Sequence, residues 1–521
     1  MVLDPYLHVR LPAKFKQSQT EQLLAEKYAL TLEPPISETW VFYDTFDWGL
    51  CNQSMVIRKA GQELILDRLS GVEPLSVFAG SLSPEFARDL PESQLRKRIE
   101  PIIKMRALLP LASVQISSSV CRVLNKDEKT VARLVTTEVQ RPDGESESTQ
   151  SAYLSLHPVR GYPNNSRKLA KLLGKAGRRV SLIEDLYLSA LEQAGKIPCS
   201  YSGKLNFRLK PKKRSDLATK VILRRLFEIM KANEPGVKAD IDTEFLHDYR
   251  IAIRRTRSAL SQIRNVFPDK ETEYFKDSFR SLGQRTNTLR DLDVYLLSED
   301  EFEARLPPMM RDDILPLFDH LRILREAELA MVVDSLSSSD YARALGEWEA
   351  FLNEPVPKKP VAANAAVPIV ELAQKRIYKR YRKVIEYGNL ILTHTQDELL
   401  HALRIECKKL RYLMEFFASL FPEKKMTRMV NQLKKLQDNL GEFNDLSVQQ
   451  EYLMGLAEEL PIDESRSRKT LVATGYLVEN LSYEQKAVKA DFAGTFKEFA
   501  SPANQKTFRR LFATRGKEGG R

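Results

Sequence analysis

Two stretches of the chain decide the fold of its C-terminal half: LHDYRIAIRRTRSAL at residues 246–260 and LHALRIECKKLRYLM at residues 400–414. Both have apolar residues at the spacing of an amphipathic helix. A constant offset of 154 positions aligns His247 with His401, Arg250 with Arg404, Arg257 with Arg411, Phe267-Pro268 with Phe421-Pro422, Leu282 with Leu436, and Asp291-Leu292 with Asp445-Leu446. This internal repeat predicts two similar helical bundles related by approximate two-fold symmetry.

The basic residues of each stretch fall on one face of the predicted helix. The first basic arc contains His247, Arg250, Arg254 and Arg257, within roughly 80° of a helical projection, and the second contains His401, Arg404, Lys408 and Arg411. A single basic face is more often solvated or paired with acidic neighbours, but two copies in register favour a binding site. Because Arg grips phosphate oxygens with two hydrogen bonds and Lys adds a compact charge, the arcs predict a surface for a repeating phosphate chain.

Histidine and aspartate have separate roles in this hypothesis. A polyanion nearby would keep His247 and His401 protonated and add a donor from each. Asp291 and Asp445 follow their histidines by the same interval, and we interpret them as structural groups that cap a helix or anchor a basic side chain. Arginine-rich surroundings repel cations, so we expect no metal site here.

The composition of the chain indicates which classes of molecule it can bind. The chain has 521 residues and a net charge of +11, which fits a polyanion such as nucleic acid, an anionic membrane surface or a phosphate polymer. The four scattered cysteines, Cys51, Cys121, Cys199 and Cys407, favour reduced thiols over a disulfide framework. No stretch has the apolar run of a signal peptide or a membrane span, so we expect a cytoplasmic protein without membrane association.

The organisation along the chain is α+β followed by all-α. Strands are predicted near 38–45, 54–59, 64–69 and 130–137, and helices near 166–173 and 181–194. The predicted divisions are an α+β domain at 1–200, a basic linker at 201–215, a helical domain at 216–500 and a basic tail at 501–521 whose last residues are expected to be disordered. Within the helical domain, repeats at 216–352 and 369–500 are joined by a proline-rich linker at 353–368.

The helical half resembles the CHAD family, the conserved histidine α-helical domains. The likeness rests on His247-Asp248-Tyr249-Arg250, Arg290-Asp291-Leu292-Asp293-Val294, Leu400-His401-Ala402-Leu403-Arg404 and Leu436-Gln437-Asp438-Asn439-Leu440-Gly441. It implies paired bundles with a basic central surface that binds inorganic polyphosphate and, in some members, association with polyphosphate granules. By motif it assigns binding to His247, Arg250, Arg254, Arg255, Arg257, His401, Arg404, Lys408, Lys409 and Arg411.

The resemblance extends less directly to six further basic residues, and the second copy departs from it at one position. The additional candidates are Arg224, Arg225, Lys379, Arg380, Lys434 and Lys435. Asn444 stands where the first copy has Arg290, so we expect one basic contact fewer in the second copy.

The N-terminal half resembles a degenerate CYTH, or triphosphate-tunnel, domain through Tyr43-Asp44-Thr45-Phe46-Asp47, Met55-Val56-Ile57-Arg58-Lys59 and Leu66-Asp67-Arg68-Leu69-Ser70-Gly71. The resemblance implies an antiparallel β-tunnel or barrel with helices. Active members hold a divalent metal with carboxylates on the first and on a late strand, but residues 7–11 and 153–157 have none here. We therefore expect hydrolysis to be lost, with Arg58, Arg68, Arg122 and Arg133 as candidates to line a basic channel.

The sequence thus favours non-catalytic binding of inorganic polyphosphate, with no catalytic residue, metal or cofactor. Two alternatives stay open. One is a metal-dependent triphosphatase or polyphosphatase with a divergent tunnel site. The other is a non-specific nucleic-acid binder, although only Tyr249 and Tyr412 lie among the basic residues as aromatic groups for base stacking.

Overall fold

The computed structural model describes residues 7–12, 24–25, 27–70, 74–80, 85–140, 151–205, 207–394, 396–459 and 465–513. The chain divides into two units, residues 1–202 and residues 203–521.

The first unit contains an antiparallel sheet, and its described strands are ten in number. They are β1 (Leu7–Arg10), β2 (Ala29–Leu32), β3 (Ile36–Asp44), β4 (Met55–Ala60), β5 (Glu63–Arg68), β6 (Leu75–Phe78), β7 (Leu109–Leu124), β8 (Thr130–Gln140), β9 (Ser151–Pro158) and β10 (Arg178–Arg179). Their order is β10-β1-β9-β8-β7-β3-β4-β5-β6, and β2 also pairs with β7. The four strands predicted from alternating polarity correspond to β3, β4, β5 and β8.

Among the helices whose bounds fall in the described residues, three cover this sheet: α1 (Gln94–Ile103), α2 (Pro163–Leu173) and α3 (Leu182–Gln193). Tyr187 and Leu191 of α3 pack on one face of the sheet against Trp40 and Phe42. On the opposite face, Leu169 of α2 packs with a group that includes Val9, Val123, Leu154 and Leu156. The prediction of an antiparallel β domain with helices is confirmed, whereas closure of the sheet into a tunnel stays a prediction.

The expectation that all cysteines are reduced is wrong. Cys51 and Cys199 form a disulfide, while Cys121 and Cys407 are buried free thiols. Cys51 follows β3 and Cys199 follows α3, so the fold brings together two residues separated by 148 positions. No local spacing in the sequence signals such a pairing, because it depends on how the helix packs on the sheet.

The second unit is helical throughout its regular structure. Its helices are α4 (Ser215–Lys238), α5 (Thr243–Gln262), α6 (Asp269–Arg285), α7 (Asn287–Leu297), α8 (Glu299–Arg305), α9 (Leu315–Ser337), α10 (Ser339–Asn353), α11 (Ile369–Thr393), α12 (Asp397–Phe416), α13 (Glu423–Glu459), α14 (Ser465–Phe499) and α15 (Pro502–Phe512). No helix in the described part of the chain is long and apolar enough to cross a membrane.

Helix boundaries in the second unit preserve the sequence repeat. Helices α4 and α11, α5 and α12, and α6 and α13 begin at positions that differ by the same 154 residues. Helices α5 and α12 also end at corresponding positions, Gln262 and Phe416. The duplicated sequence is therefore a duplicated structure at the level of single residues.

The two copies share a hydrophobic core. Leu292, Phe318 and Leu321 from the first copy pack with Leu453 and Leu477 from the second. Each copy buries part of its apolar surface against the other, so the bundles stabilise one another.

The segment assigned to a basic tail is partly helical, because α15 occupies Pro502–Phe512. Phe508 and Phe512 are fully buried, and the Phe508 ring stacks on Tyr381 with centroids 3.9 Å apart. Phe508 docks the segment on α11, and Phe512 packs against Phe421. The basic residues around them made the segment look like an exposed tail in the sequence. The disorder expected at the end of the chain concerns residues 514–521, which lie outside the described residues.

Candidate functional site

Helices α5 and α12 present the two basic arcs. Helix α5 starts at Asp242, whose Oδ1 accepts hydrogen bonds from the backbone N–H of Glu244 at 2.9 Å and Phe245 at 3.1 Å. Its apolar side is fully buried, with Ile253 and Ala259 at 0% exposure. Burial of this side fixes the rotation of the helix and leaves the basic side at the surface.

The two arcs meet in one surface. Arg255 of α5 donates a hydrogen bond to Glu415 of α12 at 2.8 Å, and Arg411 lies 3.3 Å from the same carboxylate. Arg254 of the first arc interacts electrostatically with Arg404 and Lys408 of the second. We call the two arcs together the joint basic surface, in which the structure brings Arg254 close to Arg404 and Lys408.

Arg250 is held by the end of α6. Its guanidinium donates to the carbonyl of Gly283 at 3.1 Å, to the hydroxyl of Thr286 at 2.7 Å and to Oδ1 of Asn287 at 2.8 Å. Burial, followed by repulsion from Arg254, lowers the pKa of Arg250 to about 10. Much of the donor capacity of Arg250 is therefore used inside the protein.

Arg404, the counterpart of Arg250, has a different anchor. It donates to Oδ1 of Asp445 at 3.0 Å, and its buried Nε has no hydrogen-bond partner. Leu440 takes the place of Thr286, and α13 continues through it, whereas the first copy breaks between α6 and α7. The anchoring role predicted for Asp445 is confirmed by this contact.

Lys408 carries the clearest electrostatic signature of the surface. Burial, followed by repulsion from Arg404 and Arg254, lowers the pKa of its ammonium group to about 8. Among the residues that the structure describes, neither Lys408 nor Arg254 forms a salt bridge. A bound anion would relieve the repulsion that these cations exert on one another.

The histidines lie beside the cations, with His401 exposed and His247 half-buried. His401 Nδ1 lies 2.9 Å from Oδ1 of Asn444, an arrangement that orients the ring and leaves Nε2 to face outward. Asn444 thus gives the second copy a histidine partner in place of the basic group that Arg290 supplies in the first.

The remaining assigned residues flank the surface. Lys409 donates to Glu406 at 2.9 Å, so its charge is balanced within the protein. Arg257 has a buried Nε without a hydrogen-bond partner, and burial followed by repulsion from Arg280 lowers its pKa. Arg257 therefore keeps donor capacity that Lys409 does not.

The six less direct candidates are not one group. Arg224 donates to the carbonyl of Leu352 at 2.7 Å, a structural role at the end of α10. Three others lie at the surface elsewhere: Arg225 pairs with Glu228, Lys435 pairs with Glu498, and Lys434 is exposed.

Lys379 and Arg380 instead line a small cavity with Gln262, Arg264, Arg376, Lys383 and Leu413. Sequence reasoning missed Arg264, Arg376 and Lys383 as functional candidates. The dense run of basic residues in α11 was the only signal for Arg376 and Lys383, and it does not show which residues of the run face one cavity.

In the first unit the four candidate channel arginines do not share one environment. Arg58 pairs with the buried Asp67 at 2.7 Å and lies over the ring of Trp40. Arg68 follows Asp67 by one residue, so it lies on the other face of β5, which corrects its assignment to the same channel. Arg122 of β7 and Arg133 of β8 lie opposite each other in the register of these neighbouring strands.

The fold and the site define a duplicated all-helical domain whose two copies share one basic surface. Residues 221–454 match the family model described as CHAD domain, and this part of the chain is a CHAD domain, which confirms the family predicted from the histidine motifs.

Curated relatives and solved structures are similar to part of this chain. Over 221 residues the chain is 26% identical to two uncharacterized proteins of Mycobacterium tuberculosis, MT2285 of strain CDC 1551 and Rv2226 of strain H37Rv. The match covers 42% of this chain and spans only 41% of each relative. The crystal structure of the CHAD domain from the plant Ricinus communis is 24% identical, with a TM-score of 0.46, and covers 55% of this chain and 94% of that one. PptA from Streptomyces chartreusis is 17% identical, with a TM-score of 0.42, and covers 55% and 99%.

Proposed function

We propose that this protein binds inorganic polyphosphate, without transforming it, on the joint basic surface. The observation that carries the proposal is the meeting of Arg254 with Arg404 and Lys408, cations from both copies. Burial, followed by repulsion from Arg404 and Arg254, lowers the pKa of Lys408 to about 8. Such a surface is destabilising unless an anion neutralises it, and a phosphate chain supplies closely spaced charges along its length.

The same surface lacks the aromatic platforms of a single-strand nucleic-acid site. Tyr249 is fully buried and Tyr412 is 8% exposed, so neither of the two aromatic residues among the basic motifs offers a ring for base stacking. The surface can therefore bind a ligand through its phosphate groups but not through base stacking. This favours a polymer that has a charge on every unit and no bases.

The first unit supports a non-catalytic assignment through the residues of β1 and β9. His8 of β1 lies 2.7 Å from Ser155 of β9, and Arg10 pairs across the strands with Tyr153. The resemblance to tunnel enzymes assigns the carboxylates that hold Mg²⁺ to these two strands, whose polar side chains here are imidazole, hydroxyl and guanidinium groups. We infer a degenerate triphosphate-tunnel fold that has lost hydrolysis.

Binding to long-chain polyphosphate in competition with single-stranded RNA and with sulfate tests the proposal. The double variant R254Q/K408Q removes two cations from the joint basic surface, and K358Q/K359Q removes two exposed lysines from the proline-rich linker as a matched control. We expect R254Q/K408Q to weaken polyphosphate binding at least about ten-fold, and the control to change it less than about two-fold.

Phosphate release in the same samples, with and without Mg²⁺ or Mn²⁺, separates binding from hydrolysis. Polyphosphate preference without release supports the proposal. Equal weakening by both double variants, or a preference for RNA, would contradict it, and metal-dependent release would require a catalytic site in the first unit.

A further inference from the structure

A second group of cations lines a cavity of about 120 Å³ in the helical unit, and the described lining includes none of the residues that define the two arcs. We call it the arginine pocket. Its lining comes from the end of α5, from α11 and from α12: Gln262, Arg264, Arg376, Lys379, Arg380, Lys383 and Leu413. Five of these seven side chains are cationic.

The charge of the arginine pocket is poorly balanced. Arg380 is hydrogen-bonded to Glu406, but that carboxylate also accepts a hydrogen bond from Lys409. In the described part of the chain, Arg264, Arg376, Lys379 and Lys383 form no salt bridge with any carboxylate. The pocket therefore has an excess of positive charge that the protein does not neutralise.

Arg376 is the residue that most needs an anion. Its Nη2 donates to the backbone carbonyl of Arg264 at 3.2 Å, whereas its Nε is buried and has no hydrogen-bond partner. Burial, followed by repulsion from Arg264 and Arg380, lowers its pKa. A buried donor without an acceptor destabilises the folded protein, and an anion in the cavity would accept its hydrogen bond.

The pocket breaks the internal repeat. At the offset of 154 positions, Ile222, Leu226 and Ile229 are the counterparts of Arg376, Arg380 and Lys383, and all three are buried apolar residues. The first copy packs this part of its fold with aliphatic side chains, so packing alone does not call for cations in the second. The pocket is thus a feature of one end of the duplicated domain.

We propose that the arginine pocket binds a terminal phosphate group, either the end of a polyphosphate chain held on the joint basic surface or one end of a small free phosphoanion. This inference rests on the proposed function. A terminal phosphate loses its second proton near pH ~6 and carries about two negative charges at neutral pH, whereas an internal phosphate carries one. A small cavity lined by several cations suits the more highly charged end group better than the interior of a chain.

The test compares pyrophosphate with trimetaphosphate, measured by isothermal titration calorimetry on the full chain. The two anions have similar net charge near neutrality, but trimetaphosphate is cyclic and has no terminal phosphate. We expect the wild-type protein to bind pyrophosphate at least about ten-fold more tightly, the effect of one charge-assisted hydrogen bond. The double variant R376Q/K383Q should lose this preference.

A matched control lies on the same helix. Lys375 and Arg382 are exposed neighbours of Arg376 and Lys383 that do not line the cavity, so K375Q/R382Q makes the same change in charge and should keep the preference. Equal binding of the two anions by the wild-type protein would overturn the inference. So would a preference that survives in R376Q/K383Q or disappears equally in K375Q/R382Q.

Long-chain polyphosphate with free ends or with ends blocked as phosphoramidates distinguishes the two sources of the phosphate group. Tighter binding of the free-ended chain, lost in R376Q/K383Q, assigns the pocket to the end of the polymer. A pyrophosphate preference without an effect of blocked ends assigns it to a small phosphoanion. Failure of the proposed function has a different signature, because long-chain binding would then be unaffected by R254Q/K408Q.

Discussion

If the protein binds polyphosphate as proposed, Lys408 should make that binding sensitive to pH. Its pKa in the free protein is lowered to about 8 by burial and by Arg404 and Arg254. A bound polyanion stabilises the charged ammonium group and raises that pKa, so binding takes up a proton when the pH exceeds the free value. Affinity should be complete below about pH 7 and fall as the pH rises through 8, by at most about ten-fold per pH unit.

Dissociation constants measured between about pH 7 and pH 9.5 at constant ionic strength check this expectation. Arginine keeps its charge across the range, so K408R should bind with little dependence on pH. The assignment to Lys408 would fail if K408R showed the same decline as the wild-type protein.

Arg250 and Arg254 lie on the same helix, and we expect Arg250 to contribute to stability and Arg254 to binding. Arg250 makes three hydrogen bonds to the junction of α6 and α7, whereas Arg254 is exposed. We expect R250M to lower the free energy of unfolding by about 1–3 kcal/mol, and R254M to change it by less than about 0.5 kcal/mol. Urea denaturation without polyanion measures both. Equal destabilisation would contradict the structural role of Arg250.

At the scale of the element, the repeat predicted two corresponding sets of helices, but one helix break was not predicted. The segment from Glu273 to Leu289 has a continuous helical pattern in the sequence, yet the structure divides it after Arg285. The break occurs where Gly283 and Thr286 bind the guanidinium of Arg250, a contact between residues far apart in sequence. The periodicity of one segment depends only on its own residues, so it does not show that a side chain from another helix binds there.

Replacing glycines within the helices by alanine should change stability in opposite directions at different positions. A Cβ on Gly388 would overlap the ring of Phe496, and a Cβ on Gly236 would overlap the ring of Phe245. G388A and G236A should each destabilise the protein by about 1–3 kcal/mol because the rings must move. Gly346 and Gly475 have open space, so G346A and G475A should each stabilise it by about 0.5–1 kcal/mol. Thermal denaturation measures all four, and a shared sign would refute the packing argument.

At the scale of the whole molecule, the internal repeat predicted the two basic arcs, whereas two features that occur once were missed. The two arcs could be found because His247 and His401 recur in one register. The Cys51–Cys199 disulfide and the arginine pocket occur once, and each is assembled from segments far apart in the chain. A feature that occurs once cannot be recognised by comparing two parts of the same sequence. The residues that form it can be identified only when the packing of the helices and strands is known.

The salt dependence of polyphosphate affinity distinguishes binding at the joint basic surface from attraction by the net charge of the protein. The net charge of +11 alone would make any two cations equivalent. If Arg254 and Lys408 each neutralise a phosphate, their loss removes counterion release at two positions, and the slope of log K against log salt should become shallower by about 1.4, using roughly 0.7 per phosphate for a single strand. The slope of K358Q/K359Q should match that of the wild-type protein. Affinities measured from about 50 to 300 mM salt give both values, and an equal change in both variants would show that net charge, rather than the meeting of the two arcs, holds the polymer.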